Sequence, residues 1–183
     1  MNTLFLHCRP GFEGEVCAEI TDLAARLDVP GYSRAKPGSA CAEFVCSEAA
    51  DSERLMRSVR FNQLIFPRQW ARGAFVSLPE SDRISVLLEA LADYPVCGSL
   101  WLEVFDTNDG KELSNFCKKF EGALRKALEK AGRLVEDVSK PRLLLTFKSG
   151  REVFLGLAEA DNQAPWPMGI PRLKFPREAP SRS

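Results

Sequence analysis

The sequence lacks the residues and patterns that mark several classes of protein. It has one histidine, His7, and six cysteines that never form a C-x-x-C pair, so no group has the spacing of a zinc site. No run approaches the roughly 18 apolar residues of a membrane-spanning helix, and the first residues do not form a secretion signal. We therefore expect a cytoplasmic protein with no metal, no membrane partner, and reduced, mostly buried cysteines.

Motifs for catalysis are also missing. The glycines are too dispersed for a phosphate-binding loop. His7 lies in an apolar run, which favours a packed side chain over a catalytic base. Asp106 and Asp109 suggest a metal site less strongly than local hydrogen bonds and helix capping in a turn-rich segment. A hydrolase using Arg9 and Asn62 would need the fold to bring them together. We expect no catalytic residue and no bound cofactor in this segment.

Charge is balanced overall but unevenly distributed along the chain. The 25 basic and 25 acidic side chains give a net charge of zero. Residues 77–110 hold seven acidic residues and one basic residue, whereas residues 111–151 hold eleven basic and five acidic residues. Because a partner responds to the local field and not to the total charge, the second segment is a candidate for binding a polyanion.

The first half of the chain predicts a ferredoxin-like domain at 1–78. Its apolar residues alternate between strand and helix periodicity, with proline and glycine at the breaks. In chain order, the predicted elements are a strand (3–8), a helix (12–27), a hairpin (32–36 and 40–46), a shorter helix (53–59) and a strand within 64–78. The order βαββαβ is that of a ferredoxin-like fold.

The second half predicts a small α/β domain at 79–164, so the fold class is α+β with two small domains. The predicted elements are a helix from Ser81 or Asp82 to about Tyr94, a strand (100–105), a helix from Lys111 to about Leu134, and a hairpin (142–148 and 152–158). The stretch 165–183 is rich in proline and basic residues, which predicts a linker.

The helix predicted from Lys111 has an apolar face and a basic face. At about 100° per residue, its apolar side chains fall within one arc and its cations within the opposite arc. The cations are Lys111, Lys118, Lys119, Arg125, Lys126, Lys130 and Arg133. Glu112 and Glu129 share that side and neutralise part of the charge. A solvated helix face is one interpretation, but basic residues continue beyond the helix, and this favours contact with a phosphate backbone.

Four stretches of the sequence together resemble one protein family. They are LHCRPGFEGEVCAEIT (6–21), FNQLIFPRQW (61–70), DTNDGKELSNFCKKFEGALRKAL (106–128) and MGIPRLKFPREAPSRS (168–183). They are similar to the N-terminal part of the bacterial 23S rRNA 2′-O-ribose methyltransferases of the RlmM type, which modify a cytidine. The resemblance extends over essentially the whole chain.

The resemblance implies a division of labour between this segment and a further domain. It implies a ferredoxin-like domain at 1–78, a THUMP-like RNA-binding domain at 79–164, and a linker at 165–183 toward a C-terminal Rossmann-like methyltransferase domain. That domain would bind S-adenosylmethionine. The family's glycine-rich cofactor loop and its Lys-Asp-Lys-Glu set have no counterpart here, so the segment is predicted to be non-catalytic.

The implied partner is 23S rRNA, contacted through basic side chains. The predicted RNA-binding residues are Lys118, Lys119, Arg125, Lys126, Lys130, Arg133, Arg142, Arg172, Lys174 and Arg177. An alternative interpretation is a ferredoxin-like module for protein interaction or dimerisation without affinity for RNA, because a fold alone does not determine function.

Overall fold

The computed structural model of the protein describes residues 1–169, and its first half forms four antiparallel strands and two helices. In chain order these are β1 (Thr3–His7), α1 (Glu13–Arg26), β2 (Gly31–Arg34), β3 (Cys41–Cys46), α2 (Ala49–Ser58) and β4 (Gln69–Ser77). The strands lie in the order β2-β3-β1-β4. This arrangement confirms the predicted ferredoxin-like domain.

The second half forms three strands and three helices. They are α3 (Arg83–Ala90), β5 (Ser99–Val104), α4 (Asn108–Glu112), α5 (Ser114–Lys130), β6 (Arg142–Ser149) and β7 (Glu152–Ala158). Strands β5 and β6 are parallel, and β6 and β7 form the predicted antiparallel hairpin. The mixed α/β character of this half agrees with the predicted fold class.

Strand β4 joins the two halves into one sheet. It pairs with β1 on one side and with β7 on the other, which gives a seven-stranded sheet in the order β2-β3-β1-β4-β7-β6-β5. Gly73 in β4 lies opposite Gly156 in β7. A Cβ atom on Gly73 would lie 1.7 Å from the carbonyl oxygen of Leu155, so only glycine allows the two halves to approach this closely.

The two faces of the sheet are covered differently. One face packs against helices through side chains such as Leu4, Leu6, Leu145 and Leu155, which are all fully buried. The opposite face is concave because the sheet is strongly curved, and we call it the curled face. Across this face β1 approaches β5 and β6, although other strands separate them in the strand order. Its ring cluster includes Phe5 of β1, which stacks on Phe105 and Phe154 from the second half and meets Phe75 of β4 edge to face. Each strand alternates its side chains between these two environments.

The long helix predicted from Lys111 to about Leu134 is divided and shorter than expected. The chain turns at Leu113, between α4 and α5, and α5 ends at Lys130. Gly110 packs so closely on Phe105, the residue after β5, that a Cβ atom would lie 2.2 Å from the Phe105 carbonyl oxygen, so only glycine allows α4 to approach this closely. At the other end Gly132 has a positive φ of 70°, a conformation that terminates helices.

The structure also corrects the predicted helix caps. Thr107, and not Asp106 or Asp109, accepts the hydrogen bond from the N–H of Gly110 at the start of α4. Asp106 instead forms ion pairs with Arg68 and Lys111. Helix α3 ends at Ala90, four residues before the predicted end at Tyr94.

Candidate nucleic-acid interface

Helix α5 separates a packed side from a basic side. Its buried residues are Cys117, Leu124 and Leu128, which join the core of the second half. The side chains of Lys118, Lys119, Lys126 and Lys130 are exposed. Within residues 1–169, no carboxylate oxygen lies within 4 Å of any of these four ammonium groups. We call these four residues the lysine face of α5.

The lysine face carries a net positive charge that is only partly compensated. Helix α5 contains five basic and two acidic residues. Glu121 binds Arg125, with 3.0 Å between Oε1 and Nη2, and the same Nη2 donates to the carbonyl oxygen of Leu100 at 3.2 Å. Arg125 is therefore half-buried and tied to β5, while the lysines remain available to a ligand. A strip of unpaired ammonium groups attracts phosphates in a salt-dependent manner.

Two arginines predicted to contact RNA have hydrogen-bond or ring partners within the protein. Arg133 lies beyond the end of α5, and its Nη2 donates to the carbonyl oxygens of Leu91, at 2.6 Å, and Tyr94. These bonds hold the end of α3 against the segment that follows α5. The half-buried position of Arg133 leaves it less accessible than the lysines.

Arg142 lies on the curled face of the sheet, away from the lysine face. Its guanidinium carbon is 3.3 Å from the centroid of the Trp101 ring, and its Nε donates to Ser99 Oγ at 3.0 Å. Burial lowers the pKa of this guanidinium to about 10. The structure thus brings together the four lysines and Arg125, whereas Arg133 and Arg142 lie apart from them. Arg172, Lys174 and Arg177 lie outside the described residues.

The segment after β7 forms hydrogen bonds that hold the two halves together. The Asn162 side chain accepts a hydrogen bond from the N–H of Phe61 at 2.7 Å and donates to the carbonyl oxygens of Met56 and Val59 at 2.8 and 3.0 Å. Its own carbonyl oxygen accepts from Trp70 Nε1 at 2.9 Å. Every one of these partners belongs to the first half, so the chain crosses back after the second half is complete. We call residues 159–169 the strap.

The end of the strap binds a buried carboxylate. The N–H of Met168 donates to Glu103 Oε1 at 2.7 Å, and Gln69 Nε2 donates to the same oxygen at 3.2 Å. Gly169 follows with a positive φ of 68°, and a Cβ atom there would lie 1.9 Å from the carbonyl oxygen of Arg68. The start of the predicted linker is therefore held in one place, between β4 and β5. Sequence reasoning missed this site because Glu103 appears as one charge in an ordinary strand.

Glu103 also faces the only histidine of the chain. Its Oε2 lies 3.7 Å from His7 Nε2, and His7 Nε2 is within 3.0 Å of Thr146 Oγ1. Burial raises the pKa of Glu103 to about 7 and lowers the pKa of His7 to about 4. His7 is buried, as its apolar surroundings in the sequence predict. Within residues 1–169 no group of three or more His, Cys, Asp or Glu side chains is placed to hold a metal ion.

Comparisons with known proteins identify both halves of the chain. Residues 1–71 match the model of the RlmM ferredoxin-like domain, and residues 82–159 match the model of the N-terminal domain of ribosomal RNA large subunit methyltransferase M. The chain belongs to the family of ribosomal RNA large subunit methyltransferase M. The resemblance found in the sequence is thereby confirmed.

Relatives in this family match over the full length of the chain. The protein named ribosomal RNA large subunit methyltransferase M in Ectopseudomonas mendocina is 90% identical over all 183 residues, which cover 52% of that relative. The protein of the same name in Pseudomonas fluorescens strain Pf0-1 is 79% identical, again over the whole chain and over 51% of the relative. The chain therefore spans about half the length of the curated relatives it matches.

Solved structures share the fold at low sequence identity. TrmN from Thermus thermophilus has a TM-score of 0.52 and 17% identity, covering 88% of this chain and 46% of TrmN. PH1313 from Pyrococcus horikoshii has a TM-score of 0.52 and 7% identity, covering 88% of this chain and 56% of PH1313. These likenesses concern the fold alone. Among the described residues, no helix is long and apolar enough to cross a membrane.

Proposed function

We propose that this chain is the RNA-binding portion of a ribosomal RNA methyltransferase, and that it holds 23S rRNA for a catalytic domain supplied by the rest of the parent protein. The family of the chain supports the choice of ribosomal RNA as substrate. The single observation that carries the RNA-binding role is the lysine face of α5, with four exposed ammonium groups and no carboxylate partner among the described residues.

The chemistry is assigned to the part of the parent that this chain does not span. The chain covers about half of its relatives, whose name is that of a methyltransferase. S-adenosylmethionine is accordingly proposed as the methyl donor of the parent, bound by a C-terminal Rossmann-like domain. Within this division the second half of the chain acts as a THUMP-like module, which grips the phosphate backbone and the shape of folded RNA rather than base edges.

Reversal of the lysine face tests this proposal. Changing Lys119, Lys126 and Lys130 together to Glu is expected to weaken binding of a 23S rRNA fragment, because phosphates then meet carboxylates. Each lost phosphate contact removes about 0.7 to 0.9 from the slope of log affinity against log salt, so the triple variant should have a slope smaller by about two to three. Binding is measured by filter retention or fluorescence anisotropy over a salt series.

A matched variant controls for net charge. Changing Arg26, Arg57 and Arg60 to Glu alters the total charge by the same amount, but all three side chains lie outside α5 and already pair with carboxylates. This control should keep most of the RNA affinity and the salt slope. Equal affinity of the α5 variant and the wild-type protein at low salt would refute the RNA-binding role, and dimerisation in the same samples would support the interaction module instead.

A further inference from the structure

The curled face of the sheet opens at one end into a cleft that both halves of the chain line. The cleft has a volume of about 290 Å³. Phe5, Phe75 and Phe105 form its floor, with Phe5 from the first half and Phe105 from the second. The other end of the curled face is closed by the strap, where Met168 meets Glu103.

The floor of the cleft presents aromatic rings to solvent. Phe5 is buried, but Phe75 and Phe105 are only partly buried. The Phe5 ring stacks on Phe105 with centroids 5.8 Å apart and meets Phe75 edge to face at 5.8 Å. These contacts fix the orientation of the two outer rings, so a flat ligand would find an already ordered platform.

The mouth of the cleft is bordered by cations. Arg34 pairs with Glu43, and Lys148 lies 3.9 Å from Glu152. Lys36 is exposed, and within the described residues no carboxylate oxygen lies within 4 Å of its ammonium group. Three cations and two carboxylates leave this rim positively charged, with Lys36 as its unpaired member.

The loop that carries Lys36 is held in place by a buried carboxylate. Glu13 accepts hydrogen bonds from the N–H groups of Gly11, Gly38 and Ala40 at distances of 2.9 to 3.2 Å. Burial would raise the pKa of Glu13, but these bonds outweigh burial and hold the pKa below its ordinary value. The loop therefore keeps Lys36 at the mouth of the cleft.

We propose that this cleft binds one unpaired nucleobase of the RNA, stacked on Phe75 and Phe105, with the flanking phosphates at Lys36 and Lys148. The inference rests on the proposed RNA-binding function and deepens it. Aromatic platforms bind bases that are free of a duplex, whereas paired bases are stacked on each other and do not reach a recessed floor. A partner helix or a second copy of the chain fits less well, because the apolar floor is small and its border is charged.

The cleft and the lysine face of α5 lie on opposite faces of the sheet. Helix α5 packs on the helix-covered face, whereas the cleft belongs to the curled face. The two surfaces therefore contact different parts of the RNA. A duplex region meets the lysine face, and a single-stranded element enters the cleft.

The test compares single strands with and without a base. Wild-type protein is titrated with single-stranded oligomers of uridine, cytidine or adenosine of about ten nucleotides, with the same strands carrying abasic positions, and with a duplex of equal length. Loss of the bases is expected to lower affinity about five- to 150-fold for at least one sequence, because stacking on a protein aromatic ring is a large part of single-strand binding. Because every strand is titrated into the wild-type protein, a difference in affinity cannot arise from misfolding of a variant.

Variants locate the effect. Phe75→Leu and Lys36→Glu should each weaken single-strand binding and leave duplex binding within about twofold, whereas Phe61→Leu, outside the cleft, should change neither. Equal affinity of the wild-type protein for intact and abasic strands, together with unchanged binding by the two cleft variants, would overturn the inference. If the α5 triple variant still loses RNA affinity in that case, the proposed function stands without the cleft.

Discussion

Glu103 and His7 face each other inside the curled sheet, and their titrations are expected to oppose one another. Burial raises the pKa of Glu103 from 4.5 to about 7 and lowers the pKa of His7 from 6.5 to about 4. Between about pH 4.5 and 6.5, both side chains are therefore neutral in the folded protein. In the unfolded chain both are charged over the same range.

The sign of each contribution follows from the protons bound in each state. At Glu103 the folded protein holds one more proton than the unfolded chain, so this carboxyl contributes less stability as the pH rises toward 7. At His7 the folded protein holds one fewer, so this side chain contributes more stability as the pH rises from 4 to 6.5. Each group changes the free energy of unfolding by about 1.4 kcal/mol per pH unit. Between about pH 4.5 and 6.5 the two changes have opposite signs and cancel.

When one of the two side chains is replaced, the pH dependence of the free energy of unfolding that comes from the other is no longer cancelled. Glu103→Gln keeps an oxygen acceptor for the N–H of Met168 but cannot titrate. The free energy of unfolding of the Glu103→Gln variant, relative to that of the wild type, should rise by about 3 kcal/mol between pH 4.5 and 7. His7→Gln should change in the opposite direction, falling by about 3 kcal/mol relative to wild type between pH 4 and 6.5. In the double variant the difference from wild type should stay constant between about pH 4.5 and 6.5.

Urea unfolding at a series of pH values from about 4 to 8 measures these differences. Unfolding is followed by tryptophan fluorescence, to which Trp70 contributes from a fully buried position beside the junction between the two halves. Profiles of the single variants that run parallel to wild type would refute the reasoning. So would a large loss of stability at neutral pH in both single variants, because that result indicates a buried ion pair whose remaining partner is left charged.

Three substitutions test the junction and its surroundings by the same urea method. Asn162→Ala should cost about 3 kcal/mol, because the N–H of Phe61 and two carbonyl oxygens lose a buried partner; a cost below about 1 kcal/mol would contradict the fastening role of the strap. Gly73→Ala should abolish pairing of β4 with β7, since its Cβ would lie 1.7 Å from the Leu155 oxygen, whereas a stable folded variant would be incompatible with this geometry. Gly122→Ala, the control within α5, meets nothing within 4 Å and should add up to about 1 kcal/mol.

The elements of this fold are predictable because their signals are local. In β3 the residues Ala42, Phe44 and Cys46 alternate with less buried neighbours, as the period of two in the sequence predicts. Helix α1 starts and ends within a residue of the predicted 12–27, since its apolar spacing and the following Pro30-Gly31 both mark it. The lysines of α5 are likewise predictable from helical periodicity alone.

The roles of single arginines are not predictable in this way. Helical projection places Arg133 on the basic side, but the helix ends before it, and its guanidinium turns to backbone oxygens of Leu91 and Tyr94. Arg142 is basic in the sequence and yet lies against Trp101 inside the curled sheet. Both outcomes depend on contacts between residues about 40 positions apart, which no periodicity encodes.

The sharing of one sheet has a mechanical consequence for the proposed function. Two domains joined by a linker would reorient freely, but here β4 pairs with both halves and the strap returns from β7 to the first half. The lysine face, the aromatic cleft and the strap as far as Gly169 are therefore all held by the same sheet. Under the proposed function, bound RNA would keep a constant position relative to Gly169. The proposed orienting role thus depends on the junction between the two halves as much as on the basic side chains proposed to contact RNA.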